Sequence, residues 1–281
     1  MLLTLLLGTA IGCLLGLTGA GGGILAVPAL VLGLGFSLTD ATPVSLLAVG
    51  AAALLGSLDG LRKGIVRYKA ALLMAAAGAL LTPLGIWIAH NAPTRWLMNV
   101  FALVMLIAAV RMLAQSRNSA GESGALAKQH TQALSVRHKN CMLDPATGKL
   151  KWDLRCTLTL AGIGSCAGLL TGMLGVGGGF LIVPAFRRFS NVGMHGIVAT
   201  SLMVIALVSG SAVIGMLIHG VRIGTGGWIF VMAALAGMLL GRVLMPLIPA
   251  RLLQRIFALV VFAVALFLLI RTNLPFILPA A

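Results

Sequence analysis

Charged residues are scarce in this sequence. Only 9% of its 281 residues are Asp, Glu, Lys or Arg, against about 25% in soluble domains. So few charges do not cover a water-facing surface, and a soluble globular fold is excluded. Acids are rarer still: 5 Asp+Glu stand against 20 Lys+Arg, a formal net charge of +15. Aromatics make up 5% and there is a single Tyr, so the basic excess has no interleaved stacking platform and nucleic acid is set aside as a partner. The four cysteines, Cys13, Cys141, Cys156 and Cys166, form no CxxC pair. Three lie in or beside apolar stretches, where a thiol behaves as a small hydrophobe, and neither a disulfide nor a metal site is expected of them. HExxH, GxSxG and paired acids are missing, so the chain is not expected to be an enzyme or to hold a cofactor.

What is abundant is apolar. Hydrophobic residues are 60% of the chain and the mean hydropathy is +1.10, values of an integral membrane protein. A membrane helix needs about 20 residues, and spans are predicted over 42–61, 70–89, 96–113, 154–174, 197–218, 228–247 and 252–270. The apolar stretches 2–36 and 154–189 are each broken by a run of glycines. The first begins at Leu2 without a basic leader or cleavage site and reads as a membrane segment, not a removable signal. Between them lies a polar connector with Arg117, Lys128, Arg137, Lys139 and Lys149. It divides the chain into a first membrane repeat (1–113), a connector (114–153) and a second membrane repeat (154–281).

The halves repeat in order. Gly19-Ala20-Gly21-Gly22-Gly23-Ile24-Leu25-Ala26-Val27-Pro28-Ala29 aligns with Gly175-Val176-Gly177-Gly178-Gly179-Phe180-Leu181-Ile182-Val183-Pro184-Ala185 at constant offset. At the same offset Gly12 and Gly16 fall on Gly168 and Gly172, and with small gaps Ala41-Thr42 matches Ala199-Thr200. Orientation follows from Lys and Arg, which accumulate on the cytoplasmic side. With the basic connector inside, Arg62, Lys63, Arg67 and Lys69 fall inside and Arg95 outside. If the segment after Gly179 crosses the membrane, Arg187, Arg188, Arg251 and Arg255 also fall inside, leaving Arg222 and Arg271 outside. Each half then has about five helical segments, an odd number, and the two repeats are inverted. The alternative is eight spans with two re-entrant glycine loops. The expected fold is thus an all-α, multi-pass helix bundle in a lipid bilayer.

Irregular backbone inside hydrocarbon leaves amides unpaired unless protein or water meets them. The two glycine breaks therefore belong to the interior or to a cavity. A helix restarting after each loop, with Pro28 and Pro184 in its first two turns, offers free N–H groups and a positive dipole end to an anion. Two equivalent broken helices near mid-membrane are the sequence sign of a secondary transporter's substrate site. Candidate binding residues are Gly19, Gly21, Gly22, Gly23, Pro28, Thr42 and Ser45 in one half. In the other they are Gly175, Gly177, Gly178, Gly179, Pro184, Thr200 and Ser201. Ser57, Ser209 and Ser211 offer further hydroxyls; helix packing is the competing use of the glycines, and bonds to the local backbone that of the hydroxyls. The loops are not nucleotide motifs, because Ile24 stands where a dinucleotide fingerprint needs Gly and no GK[ST] follows. Asp40 and Asp59 lie near span ends and no Glu lies inside a span, which disfavours a proton relay and leaves room for an anionic substrate. Lys63, Arg67, His219 and Arg222, at equivalent helix ends, either attract anions or only set topology.

Two GxGGGxxxxP loops, Gly19 to Pro28 and Gly175 to Pro184, with an Ala-Thr at the next helix of each half, resemble the sulfite exporter TauE/SafE family of membrane transporters. The likeness covers nearly all of the chain outside 115–151. It implies a plasma-membrane (bacterial inner-membrane) carrier that moves sulfite, sulfonates or related small anions, often outward. Pro43 departs from the pattern: it stands where the second half has Ser201 and removes one hydroxyl. A secondary anion transporter is therefore expected, with a channel and a non-transporting assembly protein as rivals. Whether copies of the chain associate is left open.

Overall fold

A computed structural model describes residues 1–18, 22–118, 141, 153–190, 192–218, 220, 223–244 and 250–273. Gly19, Ala20, Gly21, His219, Arg222 and nearly all of the connector lie outside the described residues. The described elements are ten helical segments, five in each half. They are α1 (Leu2–Thr18), α2 (Gly22–Gly33), α3 (Leu38–Arg62), α4 (Tyr68–Asn91) and α5 (Thr94–Asn118), then α6 (Leu154–Leu174), α7 (Gly179–Phe189), α8 (Met194–Ile218), α9 (Thr225–Leu244) and α10 (Ala250–Asn273). The chain is an all-α polytopic bundle, and seven of the helices are long and apolar enough to cross a bilayer.

Local chemistry accounts for the ends. Ser37 caps α3 by accepting the Asp40 N–H at 3.2 Å, and Asp40 in the first turn suits the positive end of the helix. Asp153 caps α6 through the Leu154 N–H at 2.8 Å. That helix ends at Gly175, whose φ of +68° is the left-handed conformation that favours glycine. Segment α2 is irregular: it opens as a 3-10 turn over Gly22–Leu25 and closes as a π turn over Ala29–Gly33.

Glycine sets the packing. Lipid is as apolar as leucine, so helices in a bilayer are held by close approach and not by expulsion of water. Gly8, Gly12 and Gly16 of α1 lie against Ala233, Ala234 and Met238 of α9, so the two helices run parallel. Gly164, Gly168 and Gly172 of α6 lie in the same way against Met74, Gly78 and Thr82 of α4. Helices α3 and α8 cross antiparallel, with Gly50 at Ser209 and Gly60 at Ala199. Helices α5 and α10 are also antiparallel, joined at one end by a hydrogen bond from the Asn273 amide to Asn99 Oδ1 at 3.1 Å. Every pair takes one helix from each half: first with fourth, third with third, fifth with fifth. That is the internal two-fold of an inverted repeat.

The short segments complete it. Gly22 abuts Leu15 while Gly33 abuts Leu7, so α2 runs back along α1. Gly178 abuts Ala167 and Thr171, so α7 begins part-way along α6 and returns to the face where α6 began. Its 11 residues rise about 16 Å, enough from mid-depth. One face thereby gathers Arg62, Lys63, Arg67, Lys69, Arg155, Arg187, Arg188 and Arg242, while the opposite face keeps Arg95 and Arg271. This is the ten-segment arrangement and not the one with eight spans.

One expectation is corrected. Cys141 and Cys156 are joined in a disulfide and both are fully buried. The Cys141 N–H donates to Phe189 O at 3.0 Å, so the end of α7 is tied to the start of α6. Spacing in sequence does not show this, because α7 turns back only after the loop. Cys13 and Cys166 are free.

Candidate functional site

The two glycine loops meet at the crossing of α3 and α8. A Cβ on Gly23 would lie 2.9 Å from Val49 Cγ1 and 3.2 Å from Val176 O; one on Gly177 would lie 3.2 Å from the same Val49 Cγ1 and 3.3 Å from Ser209 Oγ. Any larger residue would push the loops apart. Gly177 and Gly178 have φ of +74° and +59°, conformations an L side chain adopts only at a cost. Among the first-loop glycines described, Gly22 and Gly23 are required by crowding instead of by φ.

Helix α7 starts at this junction. The Leu181 and Ile182 N–H groups donate to Gly178 O at 3.1 and 3.3 Å, while the first helical amides, of Gly179 and Phe180, lie ahead of any intrahelical acceptor. Against Gly177, in the loop before α7, Ser209 Oγ is buried and has no hydrogen-bond partner among the described residues. A buried hydroxyl left unpaired costs about 1–3 kcal/mol, and such an atom beside the loop marks a place where a ligand or water fits.

The other candidate hydroxyls are engaged. Ser45 donates to Gly175 O at 2.9 Å, and Thr42 packs under Gly175; together they close the loop against the start of α3, on the side away from the basic face. Thr200 donates to Gly196 O at 2.6 Å and accepts the Arg67 N–H at 3.0 Å. Ser201 donates to Val198 O at 2.9 Å. Pro28 is buried in α2.

On the basic face a cavity of about 500 Å³ opens between α1, α3, α5, α7, α8, α9 and α10. Its floor holds Ile24 and Phe180, the first residues after the two loops and equivalent in the repeat. Gly179 and Pro184 are the predicted site residues on its lining. Leu202, Met238, Phe257 and Val261 make apolar walls, and among the described residues four cations, Lys63, Arg111, Arg187 and Arg242, face one acid, Asp59. His195 lines it as well.

Two of the lining cations, Arg242 and Arg111, are not among the predicted site residues. Arg242 had a signal, since it interrupts the otherwise uncharged run 228–247, and a charge inside a span points to function. Arg111 had none, because it stands at a span end where topology alone explains a cation.

Residues 4–268 match the family described as sulfite exporter TauE/SafE. The chain belongs to that family. As a TauE/SafE member it is a multi-pass membrane transporter and not an enzyme. A probable membrane transporter protein of Xylella fastidiosa (strain 9a5c) is 29% identical over 275 residues, 97% of this chain and 96% of the relative. One from strain Temecula1 of that species is 27% identical over the same shares of both chains. The probable membrane transporter protein MamO of Paramagnetospirillum magneticum is 27% identical over 285 residues, 93% of this chain but 43% of that longer protein. No solved structure matches.

Proposed function

We propose that this TauE/SafE transporter is a secondary carrier that moves small anions, such as sulfite, sulfonates or related sulfur-containing and organic anions, out across the plasma membrane by alternating access. The carrying observation is the cavity: among the described residues, four cations against one acid share its lining with Gly179 and Phe180, the residues that open α7. Low-dielectric walls focus that field and concentrate anions at the mouth. The charge rule puts this mouth in the cytoplasm, where an exporter takes up its load. On the opposite side Thr42 and Ser45 hold the second loop at Gly175, which supports a gate there. The inverted repeat supplies the second state, in which the halves exchange conformations and the cavity opens outward.

The test is flux into and out of proteoliposomes holding the full chain, with labelled sulfite, methanesulfonate and acetate, with and without a pH gradient. Saturable anion flux supports the carrier. Flux linear in concentration would mean a channel, and no flux with any of the anions would overturn a transport role for them.

A further inference from the structure

Resting on the anion-carrier reading, we propose that Arg242 is the residue that selects the anion, and that Asp59 is its resident counter-ion, which the acid group of the substrate displaces. Arg242 sits in the last turn of α9 where two neighbours lack side chains. A Cβ on Gly16 would lie 3.1 Å from the Arg242 backbone N, and one on Gly56 would lie 3.6 Å from Arg242 Nη2. The Arg242 backbone thus abuts α1, which leads into the first glycine loop, while its guanidinium lies against α3.

Its bonds are unequal. Nη2 donates to Gly56 O at 2.8 Å, which holds the group in place. Nη1 lies 3.4 Å from Asp59 Oδ2, longer than the 2.7–2.9 Å of a charge-assisted hydrogen bond. The same carboxylate oxygen is 2.9 Å from Lys63 Nζ. Asp59 therefore belongs to Lys63 and holds Arg242 loosely, and among the described residues most of the five donors of the guanidinium have no partner.

Burial separates the cations. The side chain of Arg242 is 28% exposed and that of Lys63 62%; Arg111 and Arg187 are exposed too. The three exposed cations are solvated and act as a funnel. Arg242, set beside Met238 and Leu202 in the apolar wall, interacts through a lower dielectric, where a charge is felt more strongly. A guanidinium also matches an oxyanion with two parallel bonds, which an ammonium does not. Asp59 gives α3 little net stability, since its i,i+4 pair with Lys63 is offset by an anion in the last turn opposing the helix dipole. Its position suits a competitor: it part-neutralises Arg242 while the cavity is empty and returns to Lys63 alone when an anion docks.

The test uses purified full-length protein, with methanesulfonate-induced thermal stabilisation reading binding and sulfite flux in proteoliposomes reading KM and maximal rate. Asp59→Asn is expected to tighten binding and lower KM several-fold. Arg242→Gln is expected to weaken binding about tenfold or more, the effect of losing charged hydrogen bonds. Arg242→Lys keeps the charge and the reach to Gly56 but loses the fork, and falls between. Lys63→Gln is expected to shift KM by less than Arg242→Lys.

If Arg242 were only a strut between α3 and α9, these variants would lower the melting temperature and the maximal rate with binding and KM unmoved. That pattern, or weaker binding in Asp59→Asn, overturns the proposal. Should Arg242→Gln not fold, Arg242→Lys and Asp59→Asn decide it on the same readouts. Wild-type binding without flux removes the carrier reading alone. Equal stabilisation of wild type and Arg242→Lys removes Arg242 alone, and no stabilisation of wild type removes both.

Discussion

Gly178 carries two constraints at once, a φ of +59° and an added Cβ 2.7 Å from Ala167 O. Gly35 carries one, a φ of +69° with nothing within 4 Å. Gly35→Ala is therefore expected to cost about 1–2 kcal/mol, and Gly178→Ala more, with transport lost; melting temperature and flux on the purified variants check both. Ser209→Ala is the reverse case. It removes a hydroxyl that no protein group satisfies, so stability is expected to hold or rise by up to about 1 kcal/mol, while anion flux falls. Unchanged flux would show that the hydroxyl takes no part in transport. Legibility at this scale was uneven. The loop glycines stood out as a doubled pattern, and Ser209 as one hydroxyl among several. Which hydroxyls spend themselves on the backbone, as Thr200 and Ser201 do, depends on partners a sequence does not display.

Among the helices, the parallel pairs α1–α9 and α4–α6 depend on glycine faces. A Cβ on Gly168 would run into the Gly78 backbone, so Gly168→Leu is expected to separate α6 from α4 at a cost of about 3 kcal/mol or more, read as loss of a monodisperse peak on size exclusion. Gly162, on the same helix with nothing within 4 Å, is the control, and Gly162→Ala is expected to be neutral or to gain up to about 1 kcal/mol. The Cys141–Cys156 bond closes a separation of 15 residues, for which chain entropy predicts about 3 kcal/mol. Cys141→Ser should lower stability by up to that amount in non-reducing buffer and by nothing in dithiothreitol, as thermal melts in the two buffers will tell. Helix positions and the pattern of five segments per half were legible from hydropathy and from the basic residues. The disulfide was not, because it depends on α7 folding back along α6.

For the whole molecule, the internal two-fold relates the face that bears the cavity to the opposite face. Ser45 and Thr42 hold Gly175 on one side, while the cavity opens among Lys63, Arg187 and Arg242 on the other. A cysteine at Val183, on the cavity lining, in a chain without Cys13 and Cys166, is expected to react with a membrane-impermeant maleimide from the basic face. Saturating methanesulfonate should slow that reaction. Equal labelling from both faces would contradict access from the basic face alone, and a rate indifferent to the anion would contradict binding in the cavity.

Hydropathy, the doubled GxGGGxxxxP loop and the distribution of Lys and Arg were enough, by themselves, for a membrane protein of two inverted halves, because bilayer thickness, unpaired amides and membrane charge asymmetry each act on local stretches of chain. Tertiary structure alone decided that the loops meet at Val49, that Ser209 stays unpaired beside them, and that Arg242 comes within reach of Asp59. Those facts come from helices of opposite halves crossing, and contact between distant segments is a property of the packed chain.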